Sequence, residues 1–600
     1  MMESDFNKDK IVRDPVCGMP LDFEKVKFKA EFGGKTYYFC SEYCKRRFFE
    51  RPRIAYFSME IGIRSEIPTY SGGLGVLAGD TVRSCADLRI PLVAVTLVSR
   101  KGYLKQELTE EGEQIEHPEE WDPSKYMTLL PPTVEVSLGD REVKVKAWLY
   151  EQRSLTGGMV PVLFLDTNIE ENNPEDRGIT DFLYGGEEEY RLKQEIVLGI
   201  GGVRMLEALK FNIAKYHMNE GHSSLLTLEL LKRNRMDADK VKNLCIFTTH
   251  TPVEAAFDKF PYTLVEKLLG NVFPIEELKK HGGQDRLNMT LLALNLSKYT
   301  NGVTKAHMEY SRRLFPGHHI MAITNGIHSY TWVSPFFRDI FDKYIPGWAN
   351  EPELLVRVGL VPDEEMWEAH MKAKRDLLDF IMGKTGIKMD PNVLTIGFAR
   401  RATAYKRATL IFSDIDRLRE INKTGKIQLV FAGKAHPKDF SGKMLIKEIY
   451  NYMKMLKDEI KIIYLENYNM EIAAKITSGV DVWLNTPLPP LEASGTSGMK
   501  AAHNGVLNFS VLDGWWVEGC IEGVTGWSIG PPPSESIDEK ERRRRELKDL
   551  YSKLEYIIIP KFYERRDEWI TMMNNSIGKI AYYFNSHRMM RRYATEAYLL

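Results

Sequence analysis

VLTIGFARR (393–401) is an apolar run that stops abruptly at two arginines, and IQLVFAGK (427–434), IKIIYLENY (460–468) and VDVWLNTP (480–487) repeat its form. Each run is continuous rather than alternating, which marks a strand buried on both faces. Each is followed by a polar turn and a longer amphipathic stretch, which marks a parallel sheet with helical crossovers. Working outward, IPLVAVTLV (90–98) and NLCIFTTH (243–250) begin an earlier series of the same kind. The expected fold is α/β, with two Rossmann-like doubly wound domains over about 53–330 and 331–600. The connection carries Pro335, Pro346 and Pro352, and a charged helical tail runs from Ile537 to Leu600.

Composition fits a large globular chain: 600 residues, 43% hydrophobic, 82 basic against 83 acidic side chains, and six cysteines. Disordered and disulfide-scaffold classes are excluded. A net charge of −1 supplies no general field for nucleic acid or an acidic membrane. The densest basic run, Arg542 to Arg545, is flanked by Glu541 and Glu546 and reads as a solvated helix face. The opening MMESDFNKDK is charged where a secretory leader is apolar, so the chain reads as cytoplasmic.

Residues 1–52 differ from the rest. Short aromatic runs punctuated by Gly18, Gly33 and Gly34 suggest a small hairpin-plus-helix module. Three of the six cysteines, Cys17, Cys40 and Cys44, fall within it. A module this small commonly needs a metal or crosslink, and in a reducing compartment clustered thiols suit Zn²⁺ or a softer metal. The first histidine is His117, so any fourth ligand must be water, a carboxylate such as Asp14, or another subunit. Three reduced core cysteines are the alternative.

Ligands of doubly wound sheets bind beyond the carboxyl ends of the strands, which selects a short set of residues. In Ser71-Gly-Gly-Leu-Gly75, Gly72 and Gly73 let backbone amides approach an anion, and a helix follows. Arg400, Arg401 and Lys406 gather three cations after one strand, a natural seat for phosphate. Within PLPPLEASGTSGMKAAHNG (487–505), Lys500 lies near the start of a short helix. A positive helix end and neighbouring cations disfavour its ammonium, which suits an amine that forms a Schiff base. His217, Glu220 and His222 lack the spacing of a metalloprotease motif, and His250 sits either in the core or facing a ligand.

In order along the chain, AYFSMEIG (55–62), SGGLGVLAGD (71–80), EEEYRLKQE (187–195), HMNEGHSSL (217–225), FTTHTPVEAAFDKF (247–260), TNGIH (324–328), ARRATAYKR (399–407) and EASGTSGMK (492–500) resemble the motifs of the α-glucan phosphorylases, of the short prokaryotic type. The resemblance implies a GT-B architecture with its active site in the cleft, and retaining phosphorolysis of α-1,4-glucan by orthophosphate to give glucose 1-phosphate. It also implies pyridoxal 5′-phosphate on Lys500, acting through its phosphate as a proton partner. Arg400, Thr496, Ser497 and Gly73 would hold the cofactor, and Arg401 and Lys406 would clamp the substrate phosphate with the backbone of Gly72 and Gly73. His250, Asn325, Tyr405, Glu492, Ser494 and Gly495 would line the glucose subsite. DPVCGMPL (14–21) and GGKTYYFCSEYCKRRFFERP (33–52) resemble a YHS domain, a module of metal-handling proteins, with Cys17, Cys40 and Cys44 as ligands.

The expected partners are glucan and orthophosphate, with neither nucleic acid nor membrane, in a homo-oligomer. Two other readings are a sugar-nucleotide-dependent GT-B glucan synthase, which the Lys500 motif disfavours, and a metal-responsive regulator on a degenerate phosphorylase scaffold. The motifs follow at once after Pro52, so the regulatory segment of the long animal enzymes is expected to be absent, and the turn at Tyr184 suggests different access control.

Overall fold

The computed structural model describes residues 10–15, 18–32, 35–50, 53–254 and 257–599. One lobe is built on a six-stranded parallel sheet in the order Lys461–Leu465, Ile427–Ala432, Leu394–Ala399, Val482–Asn485, Leu507–Val511, Gly526–Ile529. The chain builds outward from Leu394–Ala399 in one direction, then crosses to Val482–Asn485 and builds in the other. That reversal opens a crevice at the strand ends, and Arg400 and Asn485 stand on its two sides. The side chains alternate as a two-sided core requires. Leu394, Ile396 and Phe398 join one apolar cluster, while Val430, Ala432 and Trp483 join another beneath the helix Asp363–Thr385.

The other lobe carries a longer sheet in the order Val134–Leu138, Arg141–Arg153, Met159–Asp166, Leu92–Leu97, Ile54–Phe57, Lys215–Asn219, Cys245–Thr248, Tyr299–Gly302, Met321–Ala322. It is parallel from Met159–Asp166 onward, and the first two strands form an antiparallel extension. Its strand order reverses between Ile54–Phe57 and Lys215–Asn219. Two doubly wound sheets therefore face one another, as the GT-B expectation requires.

The helix Glu539–Lys553 lies with the second lobe. Arg544 and Arg545 pair with Glu541 at 2.7 and 2.9 Å, and Arg542 donates to the Pro531 and Glu535 carbonyls, so the basic run is neutralised locally. The chain then crosses back. Met589, Met590, Tyr593 and Tyr598 pack against Ile54, Tyr56, Leu92 and Ala94 of the first sheet. This second crossing runs beside the first: Ile327 N donates to the Phe584 carbonyl (3.1 Å) and Ser586 N to the Ile327 carbonyl (2.8 Å). Among the described residues no helix is long and apolar enough to cross a membrane.

The amino-terminal residues form the hairpin Phe28–Phe32 with Lys35–Phe39, the pair Ile11–Arg13 with Pro20–Asp22, and the helix Glu42–Glu50. Tyr37, Phe39 and Cys44 make a small core. Tyr37 OH donates to Glu151 Oε1 (2.6 Å), fastening this head to the edge of the first lobe.

Candidate active site

At the crevice of the second lobe the cations converge on one carboxylate. Arg400 donates through Nη1 and Nη2 to Glu492 (2.8 and 3.0 Å) and through Nη1 to Asn485 Oδ1; Lys406 Nζ meets Glu492 Oε2 at 2.5 Å. Burial opposes the charge on Glu492, but Arg400 and Lys406 outweigh it and hold the carboxyl down at about 2. Gly495 (φ +72°) is pressed against this group: a Cβ there would lie 3.2 Å from Glu492 Oε1 and 3.4 Å from Arg400 Nη2. Arg401 is exposed; enclosure by its surroundings opposes its charge, but Tyr405, Tyr103 and Glu60 outweigh it and raise the guanidinium pKa. The cations outnumber the ionised carboxylate they converge on, leaving a positive seat suited to a phosphate.

Lys500 is buried on the helix Ser497–His503, with Nζ 3.8 Å from the centre of the Trp332 ring. Trp332 is fixed by Nε1 donating to Asp80 (2.9 Å), and Asp80 by Arg83 at 3.0 Å. Burial lowers the ammonium to about 8, with Asp80 opposing and Arg83 assisting. The expected depression is present, but its principal cause is desolvation and not the helix end. An amine so placed is a nucleophile within reach of neutral pH.

The first lobe supplies the opposite wall. Glu60, just beyond the strand Ile54–Phe57, accepts from Ser71 N (2.6 Å), Gly72 N (3.3 Å) and Tyr184 OH (2.8 Å), fastening the glycine loop. Gly72 caps the fifteen-residue helix Gly73–Asp87 with no side chain across its end, and a Cβ on Gly72 or Gly73 would meet nothing within 4 Å. No side chain crowds the start of that helix, which leaves room there for an anion. Glu220, beyond Lys215–Asn219, accepts from His250 N (2.8 Å) and Thr251 Oγ1 (2.9 Å). Burial pushes His250 down to about 3, so its ring is neutral. Its Nε2 lies 2.7 Å from Asn219 Oδ1, and because Asn219 Nδ2 donates to Ser58, that oxygen is the acceptor and Nε2 carries the proton.

The predicted residues are therefore brought together from both lobes. Thr304 Oγ1 donates across the cleft to the Ala493 carbonyl (2.7 Å), Thr496 sits at the cap of the Lys500 helix, and Ser497 Oγ accepts from Trp483 Nε1 (3.2 Å). Ser494 and Tyr405 anchor the loops through their carbonyls, to Trp515 N and Leu488 N. Asn325 Oδ1 is buried and has no hydrogen-bond partner among the described residues. A buried acceptor, an amine of lowered pKa, an uncrowded helix start and surplus cations together fit a phosphorylated carbonyl cofactor beside a second anion.

Sequence reading selected Glu220 with the strand-end residues but missed Glu60, Trp332 and Asp513. Asp513 lies just past Leu507–Val511 and accepts from Glu492 N (2.9 Å) and Gly514 N (2.9 Å), which orients the Glu492 loop; burial raises its carboxyl to about 7. The strand-end rule that selected Arg400 would have found Asp513 and Glu60. His217, between Tyr598 OH and Thr248 Oγ1, and His222, 3.3 Å from Asp258, serve separate structural contacts.

In the head, Asp14, Cys40 and Cys44 bring ligand atoms within 4.8 Å of one another; Asp14 Oδ2 accepts from Cys40 N (2.7 Å), and the two sulfurs are 3.5 Å apart. Cys17 lies outside the described residues.

A model of the carbohydrate phosphorylases matches residues 275–524, and one of the YHS domain matches residues 12–56. The chain is 41% identical to a maltodextrin phosphorylase of Thermococcus litoralis, over 95% of this chain and 73% of that protein. It is 35% identical to a glycogen phosphorylase of Aquifex aeolicus (92% and 86%) and 36% identical to one of Mycobacterium tuberculosis (91% and 70%).

Proposed function

The chain belongs to the carbohydrate phosphorylase family, and from that membership we infer that it is an α-glucan phosphorylase: orthophosphate cleaves a terminal α-1,4-linked glucose with retention and releases glucose 1-phosphate. The family implies pyridoxal phosphate. The observation that carries this reading is the buried Lys500 amine, lowered to about 8, facing a cleft with a cationic surplus.

Lys500 anchors the cofactor, with Trp332 directing its Nζ. Arg400, Thr496, Ser497 and the backbone of Gly73 hold the cofactor's phosphate, and Arg401, Lys406, Gly72 and Gly73 hold the substrate phosphate. Neutral His250, Asn325, Tyr405, Ser494, Gly495 and Glu492 form the glucose subsite. When bound, pyridoxal phosphate supplies a phosphate group that exchanges a proton with substrate phosphate. The carboxylates support that division of labour. Glu492 is held ionised by two cations, Glu60 and Glu220 spend their oxygens on backbone amides, and Asp513 orients a loop, so each is committed elsewhere than to protonating the leaving oxygen. Assay of glucose 1-phosphate from maltooligosaccharide and orthophosphate tests the reading, and no product from intact protein refutes it.

Uptake of pyridoxal phosphate by apoprotein needs the free amine of Lys500. Its rate is expected to rise with pH through about 8, well below the 10.5 of an ordinary lysine, and absorbance of the bound cofactor follows it.

The head is proposed to hold Zn²⁺ or another thiophilic metal on Cys17, Cys40 and Cys44, with Asp14 beside them. Cys40→Ser is expected to lower the metal content of full-length protein; equal content in both proteins would reject the thiolate site.

A further inference from the structure

A second constellation of possible ligands is drawn from three segments remote in sequence. Asp87 ends the helix that begins at Gly73, His328 follows Ile327 at the first crossing between the lobes, and His587 begins the returning carboxy-terminal helix. His328 Nε2 is 2.7 Å and His587 Nε2 3.2 Å from the same oxygen, Asp87 Oδ2, and the three ligand atoms lie within 4.8 Å of one another. The two imidazoles stack with centres 5.7 Å apart. His587 is fully buried, yet neither ring nitrogen has a hydrogen-bond partner among the described residues. A buried imidazole whose one polar contact is the 3.2 Å approach of Nε2 to Asp87 Oδ2, outside good hydrogen-bond geometry, is costly and rare, which singles this side chain out.

We propose that Asp87, His328 and His587 form a structural site for a divalent cation of the Zn²⁺ type, joining three segments that are remote in sequence. Two histidines and one carboxylate are a common zinc donor set. Around a four-coordinate zinc, ligand atoms are about 3.3 Å apart, close to the 2.7 and 3.2 Å from Asp87 Oδ2 to the two imidazoles. His328 is held from behind, its Nδ1 2.6 Å from Thr331 Oγ1, the type of outer contact that fixes a ligating imidazole with Nε2 free for metal. The Ser154 side chain likewise hydrogen-bonds Asp87. The competing arrangement has no ion: Thr331 N, 3.3 Å from Nδ1, donates to it, and Nε2–H donates to Asp87.

The test uses full-length Cys40→Ser/Cys44→Ser protein, in which two of the three head thiols are removed and Cys17 alone remains. After loading with Zn²⁺ and desalting, it is expected to retain one molar equivalent, and adding His587→Gln is expected to abolish that retention. Loaded instead with Co²⁺, the double variant should show visible d–d absorption without a thiolate charge-transfer band, a readout that needs no change at the site itself. A double variant that retains neither metal overturns the proposal, as does retention unaffected by His587→Gln. Should His587→Gln fail to fold, Asp87→Asn replaces it with the same expectations.

Discussion

Lys500→Ala is expected to lower glucose 1-phosphate formation by a thousandfold or more while leaving the chain folded. The loss corresponds to about 4 kcal/mol or more of transition-state stabilisation, reasonable when the residue that retains a cofactor is removed. Folding should survive because the native ammonium is itself a liability. A lysine lowered to about 8 by burial binds its proton less well folded than unfolded, so while charged, below about pH 8, it subtracts on the order of 3 kcal/mol from stability. That deficit shrinks as pH rises from about 8 toward 10.5. Alanine removes it and loses some packing against Trp332 in exchange. The thermal midpoint at neutral pH should therefore stay level or rise. Lys500→Arg should be as inactive, because a guanidinium cannot condense with an aldehyde. Turnover by Lys500→Ala equal to that of the parent would remove this residue from the chemistry.

Glu492→Gln should give the opposite signature. Arg400 and Lys406 share this buried carboxylate, and an amide would leave two cations largely uncompensated, at a cost of about 3–5 kcal/mol. The variant should unfold earlier in phosphate-free buffer and recover much of the difference in concentrated orthophosphate, which can replace the missing charge. Catalytic efficiency should fall about a hundredfold, as for loss of one placed electrostatic group. The pH dependence has a definite sign. Folding depresses the carboxyl from about 4.5 to about 2, so its contribution is complete above 4.5 and is lost as pH falls through 2. The gap between parent and variant should therefore close in acid. An unchanged midpoint in phosphate-free buffer would show that the pairing does not matter to the fold.

The strands that build the cleft were legible because a parallel strand buried on both faces can be written only one way. The run 393–401 became Leu394–Ala399, and 480–487 became Val482–Asn485. The residues at their ends followed from the same logic. The antiparallel extension Val134–Leu138 to Arg141–Arg153 was less visible, since its exposed-and-buried alternation carries no long apolar run. Asp513 and Glu60 were passed over because each is a lone acid whose value comes from which backbone amides it meets. The clasp of Trp332 between Asp80 and Lys500 joins three segments remote in the chain, and spacing along a sequence holds no record of such a meeting.

The paired crossings have a mechanical consequence. A single connection would let the lobes swivel and twist almost freely. Two connections, bonded through Ile327, Phe584 and Ser586, act instead as the two leaves of a door hinge. Side by side, they resist swivelling of one lobe against the other and so favour a constant placement of Lys500 relative to the helix that starts at Gly73. The first lobe is not a contiguous length of polypeptide, because its last helix comes from the far end of the chain. Cutting the chain between them would leave the first without its final helix, and no linker of any length could restore that registration.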